Sequence, residues 1–151
     1  MKPNPEKSQF MNLGKGSRLP VILNINNIKI RKSQKVIFFG FTIDNCLTFK
    51  DHIDTLCRNA SYKLHALQRI RKCLTPDKAK VLYNAFLNSQ FSYASIIWMF
   101  CRKTDYLKME KIQYKALKIV FNNNESFEDL LLHSNEVSIH QKQLRQLTTE
   151  I

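Results

Sequence analysis

The sequence predicts an α+β protein in which short antiparallel strands precede a bundle of about five α-helices. Up to about residue 45, β-branched and aromatic residues are concentrated in short runs, as in strands. After that point, apolar residues recur every three or four positions, which is the spacing of one helical face. We therefore predict two domains, residues 1–45 and residues 46–151. Apolar residues make up 44% of the 151-residue chain, which is enough to close a core.

Four strands are predicted in the first domain, at Gln9–Leu13, Val21–Ile25, Ile28–Arg31 and Val36–Ile43. The pair Asn26-Asn27 separates the second strand from the third. Asparagine tolerates a positive φ better than most residues, so this pair predicts a tight hairpin turn. The segment Gly14-Lys15-Gly16-Ser17 is predicted to be a loop, and it lacks the earlier glycine that a phosphate-binding loop requires.

Helix starts are predicted from residues that suit the first turn: Thr48 with Asp51, Thr75-Pro76, Thr104-Asp105, Ser126 with Asp129, and Ser138 with Gln141. Hydroxyl side chains accept hydrogen bonds from the free N–H groups of the first turn, and proline has no N–H to leave unpaired. The first helix has a predicted apolar face at Phe49, Ile53, Leu56, Ala60, Leu64, Leu67 and Ile70. The second has one at Ala79, Leu82, Phe86, Tyr93 and Ile97. The third helix is predicted to reach about Phe121, the fourth Leu132, and the last begins at Ile139.

Both ends of the chain suggest that it is part of a larger protein. Pro3-Asn4-Pro5 is turn chemistry that normally connects a preceding segment to a strand. The last helix reaches Ile151 with no glycine or asparagine behind it to end it. The alternative is a small protein with frayed termini.

The net charge of +12 is unevenly distributed. Residues 1–121 contain 22 Lys and Arg against 7 Asp and Glu, whereas residues 122–151 contain 2 against 5. A basic body of this kind attracts polyanions, of which nucleic acid is the commonest. A basic protein without such a partner is an equally simple interpretation of the charge alone.

The cysteines favour an intracellular protein, nuclear or cytoplasmic. Cys46, Cys57, Cys73 and Cys101 form no Cys-x-x-Cys half-site for zinc, so reduced thiols are expected. No secretory signal follows the first residues, and the longest apolar run, Ile96–Cys101, is too short to span a bilayer, so no membrane partner is predicted.

No catalytic or metal-binding constellation is present in the sequence. Asp44, Asp51 and Asp54 are close along the chain, but a hard cation needs several oxygen ligands from converging segments. We therefore predict no metal site and no cofactor in this chain.

A lysine ridge is predicted on the third helix, at Lys108, Lys111, Lys115 and Lys118. At about 100° per residue, these side chains fall within roughly 80° of one another. A phosphate backbone would relieve their mutual repulsion and release counterions, although a solvated helix face is the simpler alternative. A second basic cluster ends the first long helix, at Arg69, Arg71 and Lys72. Its cations also complement the helix dipole, so a structural role is an alternative there.

Several segments together, in this order, resemble the reverse transcriptases of non-LTR retrotransposons, particularly the jockey-like group: Asn4–Met11, Lys35–Asp44, His52–Leu67, Phe91–Tyr93 and Ile97–Met99. The first is similar to the segment that follows the catalytic loop, the second to the primer-grip strand, and the others to the thumb helices. The likeness extends over nearly the whole chain.

The resemblance implies a right-handed polymerase fold, with the palm edge in residues 1–45 and a thumb, truncated at its C-terminus, in residues 46–151. It implies a parent enzyme that is an RNA-directed DNA polymerase, a nucleotidyltransferase, whose thumb follows an RNA–DNA template–primer. Phe39 and Gly40 would then lie at the primer grip. Lys7 falls where family members carry a lysine proposed to assist nucleotide addition.

The chain also departs from the family. The two catalytic carboxylates of an aromatic-Ala-Asp-Asp turn are expected upstream of Met1, so the Mg²⁺ of the parent enzyme has no ligands here and the fragment is expected to be inactive. Phe38 and Phe41 are bulkier than the aliphatic residues expected beside the grip. A partner that the resemblance implies is the missing palm and fingers part of the same polyprotein. The alternatives are a stand-alone basic nucleic-acid-binding module and an inactive retrotransposon remnant.

Overall fold

A computed structural model describes residues 4–14, 21–93, 95 and 101–149. The predicted α+β class is confirmed, because short strands precede a set of longer helices. The chain divides into two compact units, residues 1–52 and residues 53–151. Among the described helices, none combines the length and the apolar character that crossing a membrane requires. The predicted loop residues 15–17 and the resembling segment 97–99 lie outside the described residues.

The first unit is built from paired strands rather than one continuous sheet. Its described strands are β1 (Gln9–Phe10), β2 (Asn24–Ile25), β3 (Ile28–Lys29), β4 (Arg31–Lys32), β5 (Lys35–Phe38) and β6 (Phe41–Asp44). The pairs β2–β3 and β5–β6 are antiparallel, whereas β1 and β4 pair in parallel. A short 3₁₀ turn, Pro5–Lys7, precedes β1. The first two predicted strands are therefore longer than the observed ones, since β1 ends at Phe10 and β2 begins at Asn24.

Two tight turns join the antiparallel strands. The predicted turn at Asn26-Asn27 is confirmed, with φ values of 52° and 61°. The single strand predicted over Val36–Ile43 is wrong, because Phe39 and Gly40 also adopt positive φ, 47° and 82°, and fold the segment into the β5–β6 hairpin. The run of strand-forming residues concealed this turn, since a phenylalanine rarely takes a positive φ.

A carboxylate organises the start of the first helix. Asp44 accepts hydrogen bonds from the backbone N–H groups of Cys46, Thr48 and Phe49 at 2.8–3.1 Å, and from the Thr48 hydroxyl at 2.9 Å. Burial acts to raise the pKa of Asp44, but the bonds from Thr48, Phe49 and Cys46 outweigh it and hold the pKa below its ordinary value. Thr48 thus acts mainly as a donor to Asp44, and the helix begins two residues later, at Lys50.

The helices whose bounds lie within the described residues are α1 (Lys50–Ile70), α2 (Pro76–Tyr83), α3 (Ser89–Ser92), α4 (Lys103–Phe121), α5 (Phe127–Ser134) and α6 (Ile139–Thr149). A 3₁₀ turn, Arg71–Cys73, follows α1. The predicted apolar face of α1 is buried from Phe49 to Leu67, but Ile70 is exposed. The predicted caps Ser126 and Ser138 both accept a hydrogen bond from the backbone N–H three residues on, at Asp129 and Gln141.

A π-helical segment, Asn84–Asn88, connects α2 to α3 and changes which side chains are buried. The predicted face through Phe86 and Tyr93 is wrong, because both are exposed. The buried residues recur every four positions instead, at Ala79, Tyr83, Leu87 and Phe91. Hydrogen bonds from residue i to i+5 widen the turn, so a spacing of four stays on one face where an ordinary α-helix would drift.

A buried amide joins α4 to the start of α6. The Gln113 side chain is 1% exposed. Its Nε2 donates to the carbonyl of Val137 at 3.0 Å, and its Oε1 accepts from the backbone N–H of Ile139 at 3.2 Å. The two ends of the amide therefore satisfy backbone groups of Val137 and Ile139 that would otherwise need water. These hydrogen bonds fix the start of α6 relative to α4.

Candidate nucleic-acid interface

The four lysines of the predicted ridge differ in their surroundings. Lys111 and Lys115 are exposed and make no hydrogen bond or ion pair with any described residue. The Nζ of Lys118 lies 4.6 Å from the centre of the Tyr114 ring, in a cation–π contact that leaves its charge uncompensated. These three lysines span eight residues of α4, or roughly 10 Å along the helix axis.

Lys108 has a different role. Its Nζ lies 2.8 Å from Oδ1 of Asp105 and 2.8 Å from Oδ1 of Asp54, and the Asp105 side chain is only 4% exposed. The hydrogen bonds to Asp105 and Asp54 raise the pKa of Lys108. Two carboxylates therefore neutralise this ammonium group within the protein, and it is a poorer phosphate ligand than the other three.

A groove lies between α1 and α4, with a volume of about 360 Å³. We call it the α1–α4 groove, and it is lined by Ser61, Leu64, His65, Gln68, Ile112, Lys115, Lys118 and Ile119. The three aliphatic residues form its apolar part, while the two lysines stand on the α4 side. The lysine ridge thus contributes two of its members to a concave surface, where field lines concentrate more than on an open helix face.

A second concavity adjoins this groove at the end of α1. It has a volume of about 470 Å³ and is lined by His65, Gln68, Arg69 and Lys72. His65 and Gln68 belong to both linings, so the two form one continuous surface, which we call the basic groove. Its cations are Arg69, Lys72, Lys115 and Lys118, and no carboxylate of a described residue lines it. The structure thus brings together two groups of cations that are more than forty positions apart in the chain.

Arg71 turns away from this set. Its Nε lies 2.9 Å from the carbonyl oxygens of Ile119 and Val120, and its Nη1 donates to the carbonyl of Leu74 at 2.7 Å. The guanidinium thereby satisfies carbonyls that the end of α4 leaves unpaired. Of the predicted cluster, Arg69 and Lys72 face the groove, whereas Arg71 has the structural role that was the alternative.

Sequence reasoning overlooked His65 and Gln68. His65 lies on α1 four residues before Arg69 and three before Gln68, so helical spacing places the three side chains within about 100° of one another. Neither has a hydrogen-bond partner among the described residues, and both are exposed. They therefore offer unused donors and acceptors in the middle of the basic groove.

The tip of the β5–β6 hairpin, in the first unit, is apolar and exposed. The exposed fractions are 72% for Ile37, 56% for Phe38 and 75% for Phe39, and the two phenylalanine rings meet edge to face with their centroids 4.2 Å apart. Phe39 adopts a positive φ although it is a bulky residue, which costs free energy. An exposed aromatic held in a strained turn is typical of a binding element, and Phe39 and Gly40 are the residues that the resemblance places at the primer grip.

Lys7 lies at the end of the 3₁₀ turn that precedes β1. The Asn4 side chain caps this turn by accepting from the backbone N–H of Glu6 at 3.0 Å. Lys7 is exposed and has no described acidic partner. No contact of the described residues tests the role in nucleotide addition that the resemblance implies for Lys7, so that role stays a prediction.

The three aspartates considered as metal ligands have separate partners. Asp44 holds the turn before α1, Asp51 pairs with Lys35, and Asp54 pairs with Lys108. In the ranges that the structure describes, no three His, Cys, Asp or Glu side chains form a set that could hold a metal ion. The residues described here therefore do not fit the Mg²⁺ site of a polymerase. All four cysteines are free thiols.

Comparisons with known proteins give no further guidance on identity. No family model, no curated protein and no solved structure matches this chain, so the likeness to non-LTR reverse transcriptases stays a prediction drawn from its own residues.

Proposed function

We propose that the chain binds the phosphate backbone of an RNA–DNA template–primer through the basic groove, as the palm-edge and thumb part of a non-LTR retrotransposon reverse transcriptase. One observation supports this most directly: Arg69, Lys72, Lys115 and Lys118 converge on a concave surface that no described acidic residue lines. Binding of this kind positions a duplex without reading its bases.

The charge balance of the groove supports a polyanion as its ligand. Two cations elsewhere in the same unit are compensated: Lys108 by Asp54 and Asp105, and Lys142 by Glu136 at 2.6 Å. In the groove, four cations with no described acidic partner repel one another. A row of phosphates relieves that repulsion and releases condensed counterions.

The test is a salt titration of binding to a short fluorescein-labelled RNA–DNA hybrid, followed by anisotropy. With four phosphate contacts, raising the salt from about 50 to about 200 mM should weaken binding on the order of 100-fold. Replacing Lys115 and Lys118 together by alanine should lower the slope of log affinity against log salt by close to two units.

A matched control separates the groove from net charge. Lys78 on α2 and Lys103 on α4 are exposed and lie outside the groove lining, so their double replacement by alanine removes the same charge. This control should leave the slope nearly unchanged. Binding that does not depend on salt, or equal slopes for the two double variants, would overturn the proposal.

The parent activity is proposed from the resemblance alone, and in it this chain binds while other segments catalyse. The DNA upstream of the coding segment tests the parentage: an in-frame or frameshifted aromatic-Ala-Asp-Asp turn supports it, and unrelated sequence contradicts it. We propose an intracellular location, nuclear or cytoplasmic, because nucleic acid and reducing conditions for four free thiols coincide there.

A further inference from the structure

We propose that a cavity between the start of α4 and the start of α6 binds an unpaired guanine base. The chemistry it recognises is the edge of that base, whether the base comes from a free nucleoside or from a single-stranded stretch of nucleic acid. The cavity shares no lining residue with the basic groove, so this inference goes beyond the proposed function. Its volume is about 500 Å³, within the range of small-ligand sites, and its lining includes Lys103, Tyr106, Leu107, Glu110, Ser138 and His140.

The N-terminus of α6 faces this cavity with its first backbone N–H groups already occupied. The first, that of Ile139, donates to the Gln113 side chain at 3.2 Å, and the third, that of Gln141, donates to the capping hydroxyl of Ser138 at 3.3 Å. Burial raises the pKa of Tyr106, and the second N–H opposes this by donating to its hydroxyl. A phosphate normally binds a helix start through these groups. The cavity therefore favours a ligand that donates hydrogen bonds over an anion.

Glu110 is the main hydrogen-bond acceptor of the cavity. Its Oε1 accepts from the Tyr106 hydroxyl at 3.1 Å. It forms no ion pair with any described residue, although the chain carries a net charge of +12. It is half-buried, whereas Lys103 in the same lining is exposed. Each carboxylate oxygen can accept two hydrogen bonds, so Glu110 retains unused acceptor positions for a ligand.

A carboxylate acceptor selects among the bases by the order of donors on their edges. Guanine presents two neighbouring donors on its Watson–Crick edge, N1–H and the 2-amino group, which match the two oxygens of one carboxylate. In adenine and cytosine, an acceptor nitrogen adjoins the amino group and would face the negative charge of Glu110. In uracil, a single N–H lies between two carbonyls. Guanine is therefore the base whose edge fits a carboxylate best.

Aromatic side chains supply a surface on which a base can stack. The rings of Tyr106 and His140 meet edge to face, with their centroids 5.3 Å apart. Leu107, which is 42% exposed, adds an apolar surface to the same lining. Unpaired bases stack on aromatic side chains of this kind. Because the Tyr106 hydroxyl also donates to Glu110, the stacking residue positions the carboxylate that accepts from the base edge.

Nucleosides test the cavity without involving the basic groove, because they carry no phosphate. In an NMR titration of the ¹⁵N-labelled protein, guanosine should shift the amide signals of residues 103–110 and 138–141. Inosine lacks only the 2-amino group and should bind on the order of tenfold more weakly, the effect of one hydrogen bond to a charged group. Adenosine should bind more weakly still. Equal affinities for guanosine and inosine, or shifts confined to other residues, would overturn the proposal.

A pair of matched variants assigns the preference to one carboxylate. Glu110→Gln should weaken guanosine binding on the order of tenfold and abolish the preference over inosine, since an amide has one acceptor oxygen. Glu128→Gln removes the same charge from an exposed residue of α5 outside the cavity and should bind guanosine as the wild type does. Circular dichroism checks that both variants are folded. A Glu110→Gln variant that still prefers guanosine would overturn the role of Glu110 and the proposal with it.

A labelled RNA–DNA hybrid with a short single-stranded RNA extension identifies the source of the base. If the cavity takes a base from a strand, an extension that contains one guanosine should bind more tightly than the same extension with inosine. Equal affinities, together with the preference for guanosine over inosine as nucleosides, assign the cavity to a free nucleoside or nucleotide. Binding of the hybrid that does not depend on salt overturns the proposed function of the basic groove and leaves the nucleoside result standing.

Discussion

The Nζ atom of Lys108 lies 2.8 Å from Oδ1 of Asp54, which joins α4 to α1 across 54 positions of the chain. The same ammonium group also neutralises Asp105, whose side chain is almost completely buried. This relationship divides the predicted lysine ridge into one structural member and three that are available to a ligand. It also leads to the first of five predictions.

Replacing Lys108 by alanine should destabilise the protein more than replacing Lys111, an exposed lysine on the same helix with no described partner. The reason is that Lys108→Ala leaves the Asp105 carboxylate buried without its partner. The midpoint of urea denaturation measures the difference. Adding Asp105→Asn to Lys108→Ala should recover part of the loss, because the uncompensated charge is then gone. Equal midpoints for Lys108→Ala and Lys111→Ala would contradict this assignment.

Arg71→Ala should lower the free energy of unfolding by roughly 1–3 kcal/mol, because three carbonyls lose a charged donor. The salt slope for the RNA–DNA hybrid should stay nearly unchanged, since Arg71 does not line the groove. Arg69→Ala is the matched variant and should do the opposite, with little loss of stability and a slope lower by close to one unit. An unchanged stability of Arg71→Ala together with a reduced slope would return Arg71 to the set of phosphate ligands.

Acid should destabilise the first unit through His52. Its Nε2 is buried without a hydrogen-bond partner and its ring lies 4.9 Å from that of Phe41, so burial lowers the pKa of His52 in the folded state. Because the unfolded chain then binds the proton more readily, stability falls as the pH drops from the unfolded value near 6.5 through the lowered folded value. Urea denaturation between about pH 7 and pH 5 measures this loss. His52→Leu should reduce the pH dependence over that window, and an unchanged dependence would argue against the mechanism.

Phe39→Asn should stabilise the β5–β6 hairpin while weakening nucleic-acid binding. Asparagine followed by glycine suits a turn with two positive φ values, so the change should relieve roughly 1 kcal/mol of backbone strain. The lost aromatic ring should reduce affinity for the RNA–DNA hybrid if the tip acts as the primer grip that the resemblance implies. Urea denaturation and anisotropy measure the two effects separately.

Gly40→Ala tests the same turn from its other residue. No atom lies within 4 Å of the added Cβ, so the cost is that of the positive φ alone, roughly 1–2 kcal/mol. A Gly40→Ala variant as stable as the wild type would contradict this cost. A destabilised Phe39→Asn variant would show that contacts of the phenylalanine ring outweigh the backbone strain.

Local chemistry made much of the architecture predictable. Ser126 and Ser138 indicated helix starts correctly, since a cap depends on the three residues that follow it. Asn26-Asn27 indicated a hairpin for the same reason. The turn at Phe39-Gly40 was not predictable in this way, because its first residue favours the opposite conformation. The π-helical segment was not predicted either, because an analysis of apolar periodicity assumes a constant number of residues per turn.

The sequence by itself determined the fold class, the helix starts at Ser126 and Ser138, and the presence of basic clusters on α1 and α4, because these depend on residue type and spacing along a few turns. Only the tertiary structure decided how each cation is used. Lys108 and Arg71 are occupied by groups distant in the chain, Asp54 and the carbonyls of Ile119 and Val120, while His65 joins Lys115 and Lys118 across the α1–α4 groove. The physical reason is that a charge is neutralised or left available by its neighbours in space, and helix packing alone sets those neighbours.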